Sequence, residues 1–134
     1  MIKRVIIVED ETAAQVNLRS MLTSLIPGVE VVEVLESVEE SIDYFSKEVD
    51  ADVVFMDPPR AGSDEKFIKS LIKCNPKRVV YISCDPETLG RDCAVFREEG
   101  YEIGEVQPVD LFPRTGHIEN VVCLTKQNEL SQRA

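Results

Sequence analysis

Val53-Val54-Phe55-Met56-Asp57-Pro58-Pro59-Arg60 is the stretch on which the fold turns. Four consecutive apolar residues, two of them β-branched, suit a strand buried on both faces of a sheet. Pro58 and Pro59 cannot continue a ladder, so the chain must turn at Asp57 and leave a carboxyl group at the strand end. A matching run downstream, Val79-Val80-Tyr81-Ile82, closes in Ser83-Cys84-Asp85-Pro86. Another upstream, Val5-Ile6-Ile7-Val8, closes in Glu9-Asp10-Glu11. Three central strands, each ending in polar residues, define one chemically loaded edge.

The segments between them carry helical spacing. Thr12 with Gln15 has the capping-box pattern, and Ala13, Val16, Met21, Leu22 and Leu25 form the expected inward face until Pro27-Gly28. Val29 to Leu35 alternates apolar residues with Glu30 and Glu33, as in a strand exposed on one side. Ser37 and Glu40 repeat the capping pattern ahead of Val38, Ile42, Phe45 and Val49. Ser63 or Asp64 caps a helix bearing Phe67, Ile68, Leu71 and Ile72, closed before Pro76. Asp85-Pro86 supplies an N-cap and a first-turn proline to a helix that Gly100 ends. Glu102 to Leu111 and Val121 to Thr125 read as two antiparallel strands joined by a long loop, followed by a polar tail over 127–134.

The order β-α-β-α-β-α-β-α-β-β implies an α/β fold: a three-layer, doubly wound, mostly parallel sheet. Right-handed crossovers with a reversal after two units give strand order 2-1-3-4-6-5, the last strand antiparallel between its neighbours. Ligands of such sheets bind at the carboxyl ends of the strands, near the reversal. Glu9, Asp10, Asp57, Ser83 and Cys84 all fall on that edge.

A chain of 134 residues is long enough for one domain with a full core. Its four cysteines have no CxxC spacing, and the chain opens directly into a strand pattern without a signal-peptide layout. Reduced thiols in the cytoplasm are the expectation. No apolar run approaches a membrane span. The net charge of −10 is uneven: residues 1–57 hold 4 Lys and Arg against 13 Asp and Glu, the remainder 11 against 12. So acidic a balance argues against a nucleic-acid partner, and no other partner is implied.

Residues 4–57 resemble response-regulator receiver domains, with Glu9-Asp10 closing the first strand and Asp57 at the phospho-acceptor position. That resemblance implies a site in which Glu9, Asp10 and Asp57 take Mg²⁺, a hard cation that joins mutually repelling carboxylates. Ser83 could supply the family's hydroxyl. The family's lysine after the fifth strand has no counterpart in Leu111-Phe112-Pro113-Arg114.

Residues 53–126 resemble the C-terminal catalytic part of RNA (uracil-C5) methyltransferases, which are S-adenosylmethionine-dependent and Rossmann-like. The matching residues are Asp57-Pro58-Pro59-Arg60-Ala61-Gly62, Tyr81-Ile82-Ser83-Cys84-Asp85-Pro86-Glu87-Thr88 with Arg91-Asp92, Val106 to Pro113, and Thr115, His117, Ile118 and Glu119. By resemblance, Cys84 is the nucleophile that adds to C6 of uracil, Glu119 the base that removes the C5 proton, and Asp57 with Arg60 line the base pocket. Asp85 stands where the family has Asn. The helix starting at Pro86 favours a Cys84 thiolate, while Asp57, Asp85 and Glu9 oppose it. The glycine-rich donor loop is replaced by Glu9-Asp10-Glu11-Thr12-Ala13-Ala14, so S-adenosylmethionine is not expected to bind and no cofactor is required.

Two resemblances meeting at Asp57, where the charge balance also shifts, suggest a single domain with a seam: a receiver-like half over 1–57 and a methyltransferase-like half over 58–126. The sheet is then a flavodoxin-like and Rossmann-like hybrid. The functional expectation is an engineered or recombined chimeric scaffold without complete catalysis. The alternatives are a receiver-like Mg²⁺ and phosphoryl binder and a residual module of an RNA (uracil-C5) methyltransferase lacking its donor loop.

Overall fold

A computed structural model describes residues 3–47, 50–57, 64–83, 85–112 and 117–127, with the side chains of 109–112, 117 and 118 left out. The elements run β1 (Lys3–Glu9), α1 (Thr12–Leu25), β2 (Val29–Leu35), α2 (Val38–Phe45), β3 (Val53–Asp57), α3 (Glu65–Lys73), β4 (Arg78–Ser83), α4 (Pro86–Glu98), β5 (Tyr101–Ile103), β6 (Gln107–Phe112) and β7 (His117–Lys126). They build one sheet in the order β2-β1-β3-β4-β7-β5, with β6 also pairing β7. Strands β2, β1, β3 and β4 are mutually parallel, and β7 is antiparallel to β4, β5 and β6. This is the expected doubly wound α/β sheet, with its last strand inserted antiparallel.

One detail differs: the expected single strand over Glu102–Leu111 is two, β5 and β6, sharing one edge of β7. Gly104 sits at the break. Its amide donates to the Cys123 carbonyl at 3.0 Å, and a Cβ there would stand 2.7 Å from that oxygen. So close an approach of two backbones requires glycine.

Side-chain alternation along the strands separates two cores. Ile6, Val54, Met56, Val79, Tyr81, Val122 and Leu124 face α2, α3 and α4, meeting Phe45, Phe67, Ile68, Leu71, Leu89 and Phe96. Tyr81, Tyr101, Phe45 and Phe96 are all but fully buried, each removal from water contributing about 1.5–3 kcal/mol. Tyr101 donates its hydroxyl to the Pro76 carbonyl, and Tyr81 donates to the buried Asp92 carboxylate, so neither phenol is left unsatisfied. The opposite face is thinner: Val5, Ile7, Val53 and Phe55 meet Leu18 and Leu22 of α1.

Helix starts follow the capping residues at three of four places. Ser37 Oγ accepts from the Glu40 amide at 3.1 Å, Asp64 Oδ1 from Phe67 at 2.7 Å, and Asp85 Oδ1 from Glu87 at 2.9 Å. Helix α1 departs from expectation. Its N-cap is Glu11, which makes no side-chain cap, and Gln15 turns back to donate to the Glu9 carbonyl. Of the expected inward face Leu22 is buried as expected, but Ala13, Val16, Met21 and Leu25 are exposed, and Leu18 joins Leu22 against the sheet. Of the residues expected inside α2, Ile42 and Phe45 pack in the core, Val38 is exposed and Val49 lies outside the described residues.

Candidate active-site edge

Parallel pairing brings the carboxyl ends of β1 and β3 together, with Glu9 and Asp57 as register partners. Both side chains project on the α1 face. Glu9 is 5% exposed although ionisable, a combination that demands a partner. Burial, then the nearby Asp57 charge, pushes the Glu9 carboxyl up to about 8. Asp57 is pushed up to about 6, first by burial, while the hydrogen bond from Glu9 works the other way. Two carboxyl groups this close cannot both ionise cheaply, so Glu9 keeps the proton and donates it to the Asp57 carboxylate. Asp10 and Glu11 add negative potential from the β1–α1 connection.

Glu119, in β7, acts electrostatically on Asp57 from the other side. Its Oε2 is buried and takes no hydrogen bond among the described residues. In sequence it follows His117 and Ile118 and precedes Asn120, whose register partner is Ser83 at the end of β4. The Ser83 hydroxyl is occupied locally: it donates to the Asp85 carbonyl at 2.9 Å and accepts from the Asp85 amide at 3.1 Å. Asp85 and Pro86 then open α4 as the sequence implies. The edge thus sets Glu9 and Asp57 at the end of a groove of ≈ 340 Å³ that continues along the sheet past Phe55, Val80, Ile82 and Val121, with Glu119 near enough to act on Asp57.

Arg60 and Cys84 lie outside the described residues, as do Pro58 and Pro59. Asp10 is exposed in the connection rather than gathered into the pair. Among the described residues no three His, Cys, Asp or Glu side chains are grouped to hold a metal ion. The Glu9–Asp57 hydrogen bond is the feature that residue-by-residue reasoning misses. Its signal is present in the sequence, as two buried strand runs that each end in an acid.

A doubly wound, mostly parallel sheet with an acidic carboxyl edge and an inserted antiparallel last strand defines a Rossmann-like α/β domain. The family model of the tRNA (uracil-5-)-methyltransferases matches residues 39–127, and the chain belongs to that family. An uncharacterised RNA methyltransferase of Clostridium acetobutylicum is 44% identical over 101 residues, which are 74% of this chain and 22% of that protein. One of Enterococcus faecalis is 56% identical over 75 residues, 56% of this chain and 16% of that protein. The chain therefore spans only a small part of the length of the curated relatives it matches. The crystal structure of the Pyrococcus abyssi tRNA (uracil-54, C5)-methyltransferase with S-adenosyl-L-homocysteine superposes with a TM-score of 0.59 at 26% identity, covering 93% of this chain and 34% of that one.

The RcsB response regulator of Salmonella typhimurium matches 71% of this chain and 49% of that one, with a TM-score of 0.55 at 23% identity, a likeness of fold alone. The expectation of an engineered or recombined scaffold without catalysis is overturned by these relatives, which carry RNA methyltransferase names at 44–56% identity. The family match also begins upstream of Asp57, within α2. No helix among the described residues is long and apolar enough to cross a membrane.

Proposed function

We propose that the chain is a catalytic module of an RNA (uracil-C5) methyltransferase, the part that activates the uracil. The observation that carries this is the family match over 39–127, which takes in both Cys84 and Glu119. The buried Oε2 of Glu119, which takes no hydrogen bond among the described residues, supports it, because a general base needs an oxygen free to meet the substrate. The Cys84 thiolate bonds to C6 of uracil, and the C5–C6 π pair moves onto the C4 carbonyl as an enolate. C5 thereby becomes nucleophilic. Without a donor, C5 takes a proton from water, leaving hydroxide; Glu119 then removes the proton that C5 first carried, the freed C–H pair re-forms C5=C6, and the Cys84–C6 bond breaks to release the thiolate. Asp57 and Arg60 line the pocket for the base. The charge balance is compatible with RNA on this side, since residues 58–134 hold 11 Lys and Arg against 12 Asp and Glu.

A methyl donor of the S-adenosyl class does not fit the residues at the β1–β3 edge. Strand β1 passes into α1 through Asp10 and Glu11 without a glycine to let backbone close on a ligand. The Asp57 carboxylate, held at the switch point by the proton of Glu9, would repel the donor's own carboxylate.

Uracil activation can be read without a donor. A transfer-RNA transcript carrying 5-tritiated uridine should release tritium to water on incubation with the chain. Cys84→Ser should abolish release, and Glu119→Gln should slow it about 100-fold or more. Absence of release from the folded chain sinks the proposal.

A further inference from the structure

The charge on helix α3 runs against the rest of the chain. Residues 66–78 hold five Lys and Arg and no Asp or Glu, in a protein whose net charge is −10. Phe67, Ile68 and Leu71 turn α3 into the core, on the face of the sheet opposite α1. The other side of the helix carries Lys66, Lys69 and Lys73 at i, i+3 and i+7, one stripe, and all three are exposed. Lys77 and Arg78, also exposed, extend the charge to the start of β4. The three lysines wall a groove of ≈ 440 Å³ whose other side is Ile42, Phe45 and Ser46 at the end of α2.

Two features set this stripe apart from an ordinary solvated face. Lys66 is the second residue of α3, in the turn where the helix dipole disfavours a cation. Lys69 meets Glu65 at 3.1 Å, while Lys66 and Lys73 make no ion pair among the described residues. Covering the stripe with protein would strip water from three ammonium groups of which one has a carboxylate. Phosphates match it better. They meet lysines in a wet interface, where each contact releases a condensed counterion. From Lys66 to Lys73 the helix rises about 10 Å, over which one strand of a duplex carries about three phosphates at roughly 3.4 Å each. Position points the same way. Helix α3 follows β3, which ends in Asp57, and returns to the start of β4, so the stripe begins at the carboxyl edge and leads away from it.

We infer that Lys66, Lys69 and Lys73, with Lys77 beyond them, form a track for the phosphodiester backbone of the RNA whose uracil reaches the Asp57 edge. The lysines position the strand and read no base. The track lies on the α2–α3 face and shares no residue with the groove at Glu9 and Asp57. Its choice of ligand rests on the uracil chemistry proposed above, but its contacts do not pass through Cys84 or Glu119.

The test uses the full chain and a fluorescein-labelled transfer-RNA transcript, read by fluorescence anisotropy across a salt series. The stripe variant is Lys66→Gln/Lys69→Gln/Lys73→Gln. Its control, Lys3→Gln/Arg19→Gln/Arg97→Gln, loses the same charge from exposed positions elsewhere. All six side chains are exposed, so both variants should melt as the parent does. At about 50 mM salt the stripe variant should bind at least about tenfold more weakly than the control. Its slope of log K against log salt concentration should be shallower than the parent's by about 2–3. Tritium release is scored separately: a parent that binds through the stripe but releases none sinks the uracil reading and leaves the track in place. A stripe variant that binds like the control, or a parent that does not bind the transcript, overturns the track. A polyglutamate peptide that displaces the transcript at equal charge also overturns it, by giving the stripe to an acidic protein segment.

Discussion

Glu9 and Asp57 face each other across β1 and β3 as register partners, joined by a hydrogen bond between two carboxyl groups. A shared proton is the simplest way to keep two acids at that distance in a buried site, and Glu9, the more buried of the two, holds it.

Stability should therefore fall as pH rises. Both carboxyls have folded pKa values above their ordinary ones, Glu9 at about 8 and Asp57 at about 6. Their favourable contribution is complete below the unfolded values near 4.5 and 3.8 and is lost progressively as pH rises through about 6 and then about 8. Urea melts between pH 5 and pH 9 should show the decline. Glu9→Gln keeps a donor towards Asp57 without the ionisation, and should be more stable than the parent at the alkaline end by on the order of 2 kcal/mol. A parent whose midpoint is flat across that range contradicts the shared proton.

The four helix starts are not equivalent. Ser37→Ala removes the acceptor of the Glu40 amide and should cost about 1 kcal/mol. Thr12→Ala should be nearly neutral, because Thr12 is the first residue of α1 rather than its cap, and the cap position, Glu11, makes no side-chain bond. Chemical denaturation of the two variants side by side tests whether the capping pattern at Thr12 is silent.

Gly104→Ala should destabilise by about 1–3 kcal/mol, since the new methyl would meet the Cys123 carbonyl 2.7 Å away and backbone on both strands would have to move. The loss should appear in thermal unfolding, with amide exchange accelerating first in β5 and the adjoining part of β7. Gly90→Ala is the control: a Cβ there meets nothing within 4 Å.

Thiol reactivity should divide sharply. Cys74 and Cys93 are buried, and burial pushes both thiols up to about 11, which leaves little thiolate at pH 8. Cys123 is exposed on the groove side of β7. Iodoacetamide at pH 8, read by mass spectrometry of peptides, should alkylate Cys123 well before Cys74 or Cys93. Rapid labelling of Cys74 or Cys93 in the folded chain would show that the core opens at the end of α3 or at α4, respectively.

Much of this architecture is legible in the chain. The runs at Val5–Val8, Val53–Met56 and Val79–Ile82 are long enough in apolar residues, and closed firmly enough by acids, proline or serine, to be strands. The reversal at the second helix follows from right-handed crossovers once α1 and α2 lie on opposite faces of the sheet. Ser37, Asp64 and Asp85 announce their helices because a cap is a local bond between residues two or three apart. Family membership was legible too, from Asp57-Pro58-Pro59-Arg60 and the run around Cys84, although its weight against a scaffold without chemistry came from the relatives.

Local pattern, then, settled which segments are strands and helices, their order in the sheet, and that acids would collect on one edge. Three things were left to the tertiary structure: which side of α1 turns inward, where the strand after α4 breaks, and which acid keeps the proton. Each depends on neighbours distant in sequence. Helix α1 has apolar residues on more than one side, and only the ridge of Ile7 and Phe55 selects Leu18 and Leu22 over Val16 and Leu25. The break at Gly104 exists because β7 approaches it closely, and the titration of Glu9 is governed by burial and by Asp57 on the adjacent strand. Propensity is a property of a segment; desolvation and steric approach belong to the packed whole.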